Sequence, residues 1–267
     1  MSWPIGVATG GNHDQPILDV LRGVEGAGFA GVEVGTPPRH FDPWSQRQVT
    51  EVRLDLERSG IAAVSIHAPF GGILDLSEPN PHHRSAAIGG IVQAATVLKE
   101  LGGHVVVVHP TDVPRHAGQV GGRLDACADA LKVLADVVSR LDLRLVIESP
   151  LPHLIGGHAD EFGWLLGRLD PAVGVCLDTS HLWLGGNWDA FIQLAGSRIA
   201  HVHASDNRGT HDDHLPPGDG VIDWERVAES LRQTGYSGWI ILEIAFPPEG
   251  RDVGLKRARD AAFKWFG

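Results

Sequence analysis

Among its 267 residues the chain has one tyrosine, one methionine and two cysteines. So few cysteines exclude a disulfide framework. Cys127 falls inside a helical pattern and Cys176 inside the strand-like run Val173-Gly-Val-Cys-Leu177, so both are expected as buried, reduced core residues. Long hydrophobic runs are missing too: no apolar stretch approaches the ~18 residues that a membrane span requires. The segment Met1-Ser-Trp-Pro-Ile5 lacks the charged and apolar parts of a secretory leader. There is no dense Lys/Arg run, and the formal charge is −11 with a pI near 5.7. Such a chain advertises no basic stripe for nucleic acid or anionic lipid, although bound cations would cancel part of its negative charge locally. The expectation is a cytoplasmic protein without membrane contact. Its oligomeric state is left open.

What the chain has in abundance is histidine, 15 residues of it, the commonest metal ligand and the usual proton carrier near neutral pH. Hydrophobic residues make up 43% and charged residues 21%, enough for a sizeable core. The length is close to the roughly 250 residues of a one-domain α/β barrel, so a single domain over 1–267 is expected. Short β-branched runs at 4–8, 31–34, 62–66, 104–108, 143–147, 173–177, 198–202 and 239–242 read as strands. They alternate with helical patterns near 15–27, 44–59, 84–101, 120–141, 159–169, 188–195, 223–234 and 251–265. Such alternation is the mark of βα units around a parallel sheet, and eight of them predict an α/β fold, a single (β/α)8 TIM barrel. Val105-Val-Val-Val108 and Ile240-Ile-Leu242 suit strands buried on both faces. Gly60, Gly102 and Gly235 follow helical runs, as C-terminal caps do. The longest irregular stretches, 68–83, 149–158 and 204–222, all follow strands and so fall on the catalytic face of such a barrel.

The ends of those strands carry the chemistry. The third gives Ser65-Ile-His67-Ala-Pro69, the fourth Val108-His109-Pro110, and the fifth Ile147-Glu148-Ser149. The sixth ends at Leu177-Asp178-Thr-Ser-His181, the seventh at His201-Val-His203 and the eighth at Leu242-Glu243, with Asp212-Asp-His214 in the loop after the seventh. A barrel turns these ends toward one mouth with neighbouring strands about 5 Å apart, so side chains from different strands reach a common ion. Buried carboxylates are costly unless paired or coordinated, and a divalent cation offsets that cost directly. Singly, each has a plainer explanation: a satisfied structural histidine, an Asp178 that caps a short helix, a solvated Asp212 and His214. Together, at successive strand ends, they point to metal.

With these motifs the chain resembles the xylose isomerase-like TIM barrel superfamily, which holds sugar phosphate isomerases and epimerases, keto-polyol dehydratases and apurinic endonucleases of the endonuclease IV type. The resemblance covers nearly the whole chain and is carried by His67-Ala-Pro69, Val108-His109-Pro110, Leu177-Asp178-Thr-Ser-His181, and Asp212-Asp-His214 with Gly218-Asp-Gly220-Val-Ile-Asp223-Trp224. In the isomerase branch it implies one ion, commonly manganese, held by Glu148, Asp178, His203 and Glu243. In the endonuclease branch it implies up to three zinc ions, with His67, His109, His181, Asp212 and His214 added. Gly31-Val-Glu33-Val and His203-Ala-Ser-Asp206-Asn207 resemble the isomerase side more closely. Glu148 is followed by Ser-Pro, where an Asn is frequent in both branches.

The leading expectation is therefore a metal-dependent isomerase or epimerase of a sugar or sugar phosphate. One manganese or zinc ion would polarise the carbonyl, while Glu148 and Glu243 move a proton through an enediolate. Dehydration of a keto-polyol passes through the same enolate. The competing expectation is a multi-metal phosphodiesterase acting on abasic DNA, the one case in which nucleic acid is a partner; a barrel that only binds a ligand is a third. Trp183, Trp188 and Phe70 are candidate aromatic covers for the C–H face of a sugar, and Arg208 a candidate anchor for a phosphate or hydroxyl.

Overall fold

The computed structural model describes residues 2–117, 119–245 and 250–267. Eight parallel strands form a closed barrel in sequence order. They are β1 (Ile5–Ala8), β2 (Gly31–Gly35), β3 (Ala62–His67), β4 (Val105–Val108), β5 (Arg144–Glu148), β6 (Gly174–Asp178), β7 (Ile199–Ala204) and β8 (Ile240–Leu242). Closure is made by β8 pairing with β1 through Ile5↔Ile240, Gly6↔Ile241 and Val7↔Leu242. Around the barrel run α1 (Ile17–Ala27), α2 (Gln46–Ser59), α3 (Pro81–Glu100), α4 (Val120–Arg140), α5 (Ala159–Leu166), α6 (Thr179–Leu184), α7 (Trp188–Ala195), α8 (Trp224–Thr234) and α9 (Arg251–Phe266). Every expected strand and helix is present, its ends displaced by at most three residues. Outside the periodic patterns lies α6, foreshadowed only by the reading of Asp178 as the cap of a short helix: Asp178 accepts the His181 amide at 2.7 Å and starts a helix directly at the end of a strand.

The strands sort their side chains by the period of two. Val32, Ile66, Val106, Ile147, Leu177, Val202 and Leu242 face outward and pack with the helices in the main core. Val105, Val107, Val146 and Cys176 face inward and fill the lower barrel as a separate apolar layer. One step of two further along, the same inward rows arrive at His67, His109, Glu148, Asp178, His203 and Glu243. Register pairs Asp178 directly with His203, while Glu148 pairs with Cys176 and His203 with Ile241, so Asp178 and Glu243 each stand two residues beyond the partner of the neighbouring donor. Both cysteines are buried and unbridged, as expected. Gly60, Gly102 and Gly235 all have positive φ, the backbone expected just past a helix. Among the described residues no helix is long and apolar enough to cross a membrane.

The segment between β7 and α8 is irregular yet firmly held, because one carboxylate gathers its amides. Asp206 is fully buried and accepts from Gly218 N at 2.9 Å, Ile222 N at 3.1 Å and Trp224 Nε1 at 2.8 Å. Its own backbone pairs with Leu215 in both directions, at 2.8 and 2.9 Å. At Gly220 a Cβ would stand 2.2 Å from Asn207 O and 2.3 Å from the Asp206 carboxylate, so the turn requires glycine. Between these anchors the loop carries Asp212 and His214 over the barrel mouth. Asp206→Ala strands buried donors at about 1–3 kcal/mol each, and the expected outcome is a loss of at least about 2 kcal/mol in chemical denaturation. A variant within about 0.5 kcal/mol of the parent would show that the loop is held by something else.

Candidate metal centre

At the mouth of the barrel Glu148, Asp178, His203 and Glu243 each offer one ligand atom, and these atoms all lie within 4.8 Å of one another. His203 Nδ1 stands 3.5 Å from Glu148 Oε1 and 3.2 Å from Glu243 Oε2, close but not aligned as hydrogen bonds. Among the described residues, the buried atoms Asp178 Oδ2 and His203 Nδ1 have no hydrogen-bond partner. Buried polar atoms are nearly always satisfied. Two of them turned toward two more carboxylates fit a cation, and three carboxylates with one imidazole suit manganese or zinc.

A second set shares Glu148. His67 Nε2 and His109 Nε2 both lie 3.1 Å from Glu148 Oε2, and these three residues also gather their ligand atoms within 4.8 Å. A third arrangement brings His181 Nε2 and His214 Nε2 to 3.1 and 3.2 Å from Asp212 Oδ2. It is looser, and is not among the described groups whose ligand atoms converge within 4.8 Å. Every residue expected to hold metal is thus brought to one mouth, in three adjoining sets.

The imidazoles carry a further signal. Nδ1 of His67, His181 and His214 lies on a backbone carbonyl, that of Ala68 at 3.1 Å, Ser149 at 2.9 Å and Glu243 at 2.9 Å. A carbonyl accepts only, so each Nδ1 carries the proton, and a neutral ring then turns a lone pair at Nε2 toward a carboxylate. Two acceptors face to face repel. Either the ring takes a second proton or a cation stands between them. Without a cation the rings hold the proton: burial disfavours the charge on His67 and His214, but Glu148 and Asp212 override it and raise them to about 9 and about 10. Burial also disfavours charge on Glu148, yet His109 and His203 outweigh it and keep that carboxyl well below the usual range. Asp178 goes the other way. Burial, with repulsion from Asp212, Glu243 and Glu148, pushes it up to about 7 against the pull of His181. His214 also has a left-handed backbone, φ 48°, a conformation that β-carbon-bearing residues adopt at some cost.

Two cavities meet over these residues. One of about 180 Å³ is lined by Phe70, His109, Glu148, His181, Asp212 and Glu243, among others. The other, of about 580 Å³, reaches from His67 and Glu243 to Gly10, Pro37, Pro38 and Leu74. Phe70 borders both, is 46% exposed, and stacks on His109 with ring centroids 3.8 Å apart. The other candidates for substrate contact lie elsewhere. Trp188 is 3% exposed and donates Nε1–H to Ser230 Oγ at 3.1 Å, because α7 folds it back onto α8. Trp183 is half-buried beneath Arg226 and borders neither cavity. Arg208 is exposed and paired with Asp213 at 3.3 Å. Sequence reasoning passed over Ser149, whose hydroxyl accepts from Asp178 N at 2.9 Å, and Ser180, whose hydroxyl donates to Asp212 at 2.6 Å. Both stand beside named ligands, which is the signal that would have found them.

The chain belongs to the xylose isomerase-like TIM barrel family, whose model matches residues 21–262. It is 35% identical over 256 residues to inosose dehydratase of Lacticaseibacillus casei, covering 83% of this chain and 80% of that one. It is 30% identical over 188 residues to protein MJ1311 of Methanocaldococcus jannaschii, covering 67% of this chain and 64% of that protein. Among solved structures, a D-tagatose 3-epimerase-like protein superposes with a TM-score of 0.83 at 23% identity, over 99% of both chains. The IOLI protein with a bound zinc atom superposes with a TM-score of 0.83 at 18% identity, over 100% of both.

The raised imidazoles fix a pH dependence. A group whose folded value lies above its ordinary one stabilises the fold below the ordinary value and loses that contribution as pH rises through the folded one. For His67 and His214 the window runs from about 6.5 up to about 9 and about 10. Chelator-treated protein is expected to melt at progressively lower temperature as pH rises from 7 to 10, and added divalent cation to remove most of that slope, since it takes the place of the protons. A flat profile in chelator would show that these rings are neutral.

Proposed function

We propose that the protein is a divalent-cation-dependent isomerase or epimerase of a ketose. The observation that carries this is the pair of carboxylates, Glu148 and Glu243, that converge on His203 Nδ1 at 3.5 and 3.2 Å, at the meeting of two cavities. Glu148, Asp178, His203 and Glu243 would hold a divalent ion, whose positive charge would lower the cost of an enediolate by several kcal/mol. Glu243, whose side chain is 18% exposed, borders both cavities and takes the proton from the carbon next to the carbonyl. Glu148 serves the other face, its Oε2 flanked by the Nε2 atoms of His67 and His109, so a proton can be delivered there. Positioned acid–base groups of this kind contribute about 10²–10⁴ in rate.

The cavity walls favour a neutral sugar over a phosphate ester. Pro37, Pro38, Pro69, Phe70 and Leu74 present apolar surface suited to C–H faces, and none of the described lining residues is lysine or arginine. The likeness to an inosose dehydratase supports chemistry that starts with a proton lost beside a ketone. Dehydration follows from the same step when the substrate carries a leaving hydroxyl one carbon further on. The likeness to a barrel with a bound zinc atom supports a divalent metal as the group these donors would hold.

One observation favours a second function, multi-metal phosphodiester cleavage of the kind that acts on abasic DNA. His67, His109 and Glu148 form a complete set of their own, and Glu148 would then bridge two ions that stabilise attacking and leaving oxygens. With His181, Asp212 and His214 the complement could reach three.

Two measurements separate these. Glu243→Gln is expected to keep the fold by circular dichroism and to lower deuterium uptake into a panel of ketoses by at least about 10²; near-normal exchange would remove Glu243 from the acid–base pair. The double variant with His67→Ala and His109→Ala is expected to retain one ion per chain and measurable exchange. Strong nicking of abasic DNA by the unmodified protein, lost in the double variant and accompanied by no exchange into any sugar, would establish the second function instead.

A further inference from the structure

Beneath the four-donor centre lies a polar knot with no place in the chemistry above. Glu33, in the middle of β2, is completely buried, as is Ser65 of β3, and His201 of β7 is nearly so. Both oxygens of Glu33 face groups across the barrel. Oε2 accepts from Ser65 Oγ at 2.8 Å and stands 3.0 Å from His201 Nε2. Oε1 stands 3.0 Å from His203 Nε2. The contact with His203 is bent away from a hydrogen-bond line, and among the described residues neither atom has another partner. On the opposite side of the same ring, Nδ1 looks toward Glu148 and Glu243 at 3.5 and 3.2 Å.

A neutral imidazole has one N–H and one lone pair, and its two nitrogens face opposite ways. A carboxylate against Nε2 draws the proton there and leaves the Nδ1 lone pair toward the donor set. The reversed tautomer would set a lone pair against Glu33 and an N–H toward the cation position. Both ring edges are therefore specified by what they meet, and the lower edge is specified by Glu33. Ser65 and His201 fix Glu33 in turn, so that three strands hold one ring.

We propose that Glu33 is a positioning residue for the metal centre, setting the tautomer and orientation of His203 so that Nδ1 is presented to the ion. This rests on the reading of Glu148, Asp178, His203 and Glu243 as a cation site. Carboxylates placed behind a ligating histidine typically alter metal affinity by about 10- to 100-fold.

The test compares the unmodified protein with Glu33→Gln, which keeps the shape of the side chain, using manganese and cobalt(II) as probes. Affinity is read by calorimetry and ligand geometry by the visible absorption of bound cobalt. The expected result is cobalt and manganese binding weaker by about 10- to 100-fold in Glu33→Gln, with a changed cobalt spectrum, while its thermal melt in chelator stays close to that of the parent. Unchanged affinity and an unchanged spectrum would overturn the proposal. So would loss of a separate whole ion with the first retained at full affinity, since Glu33 would then itself be a ligand. A variant that does not fold leaves the decision to nitrogen-15 NMR of the unmodified, zinc-loaded protein. A His203 proton on Nε2 supports the assignment, and one on Nδ1 overturns it. Failure of the unmodified protein to bind any divalent cation would overturn the centre and this inference with it, whereas tight binding that ignores Glu33 overturns this inference alone.

Discussion

Like-charge repulsion inside a closed barrel is the constraint on which the rest of this molecule depends. Glu33, Glu148 and Asp178 are buried almost completely, with Asp212 and Glu243 beside them at the mouth. Two unit charges about 4 Å apart repel by about 4 kcal/mol even at an effective dielectric near 20. The fold meets this by interleaving imidazoles with the carboxylates: His67 and His109 on Glu148, His181 and His214 on Asp212, His201 and His203 on Glu33. Asp178 is the least well compensated, its carboxyl pushed up to about 7 and, among the described residues, one of its oxygens without a hydrogen-bond partner. That imbalance defines where positive charge belongs.

The arrangement follows from a simple rule of strands. Inward positions recur every second residue, so an apolar filler low in the barrel is followed two residues later by a functional group at the top: Val146 then Glu148, Cys176 then Asp178, Ile241 then Glu243. Strand β7 departs from this by placing His201 beneath His203, and β2 and β3 answer it with Glu33 and Ser65. Polar residues thus descend one layer deeper on this side of the barrel than on the side where Val105, Val107, Val146 and Cys176 pack.

Much of this was legible in the chain because strand ends have only one place to go in a barrel. The alternation of β-branched runs and helical patterns marks all eight strands, and the His, Asp and Glu residues that end them meet for that reason alone. What was not legible depends on partners far along the chain or on local refolding. Trp188 reads as a rim aromatic because the short α6, begun by Asp178, is invisible to periodicity; α6 and α7 turn that ring into the core instead. Arg208 reads as a free cation because nothing in its neighbourhood says that Asp213, five residues later, claims it. Glu33 stands in the strand motif that suggested an isomerase, but its contact with His201 spans 168 residues of chain, and no local pattern reports such a pairing.

That span also has a consequence for how the molecule is made. The donors are scattered from His67 to Glu243, so a chain emerging from the ribosome offers individual imidazoles and carboxylates but no assembled mouth until its eighth strand is released. Contacts of such high sequence separation form late, since loop-closure entropy must be met before they are rewarded. An ion that engaged all of these donors would accordingly need a barrel that has already joined its first strand to its last.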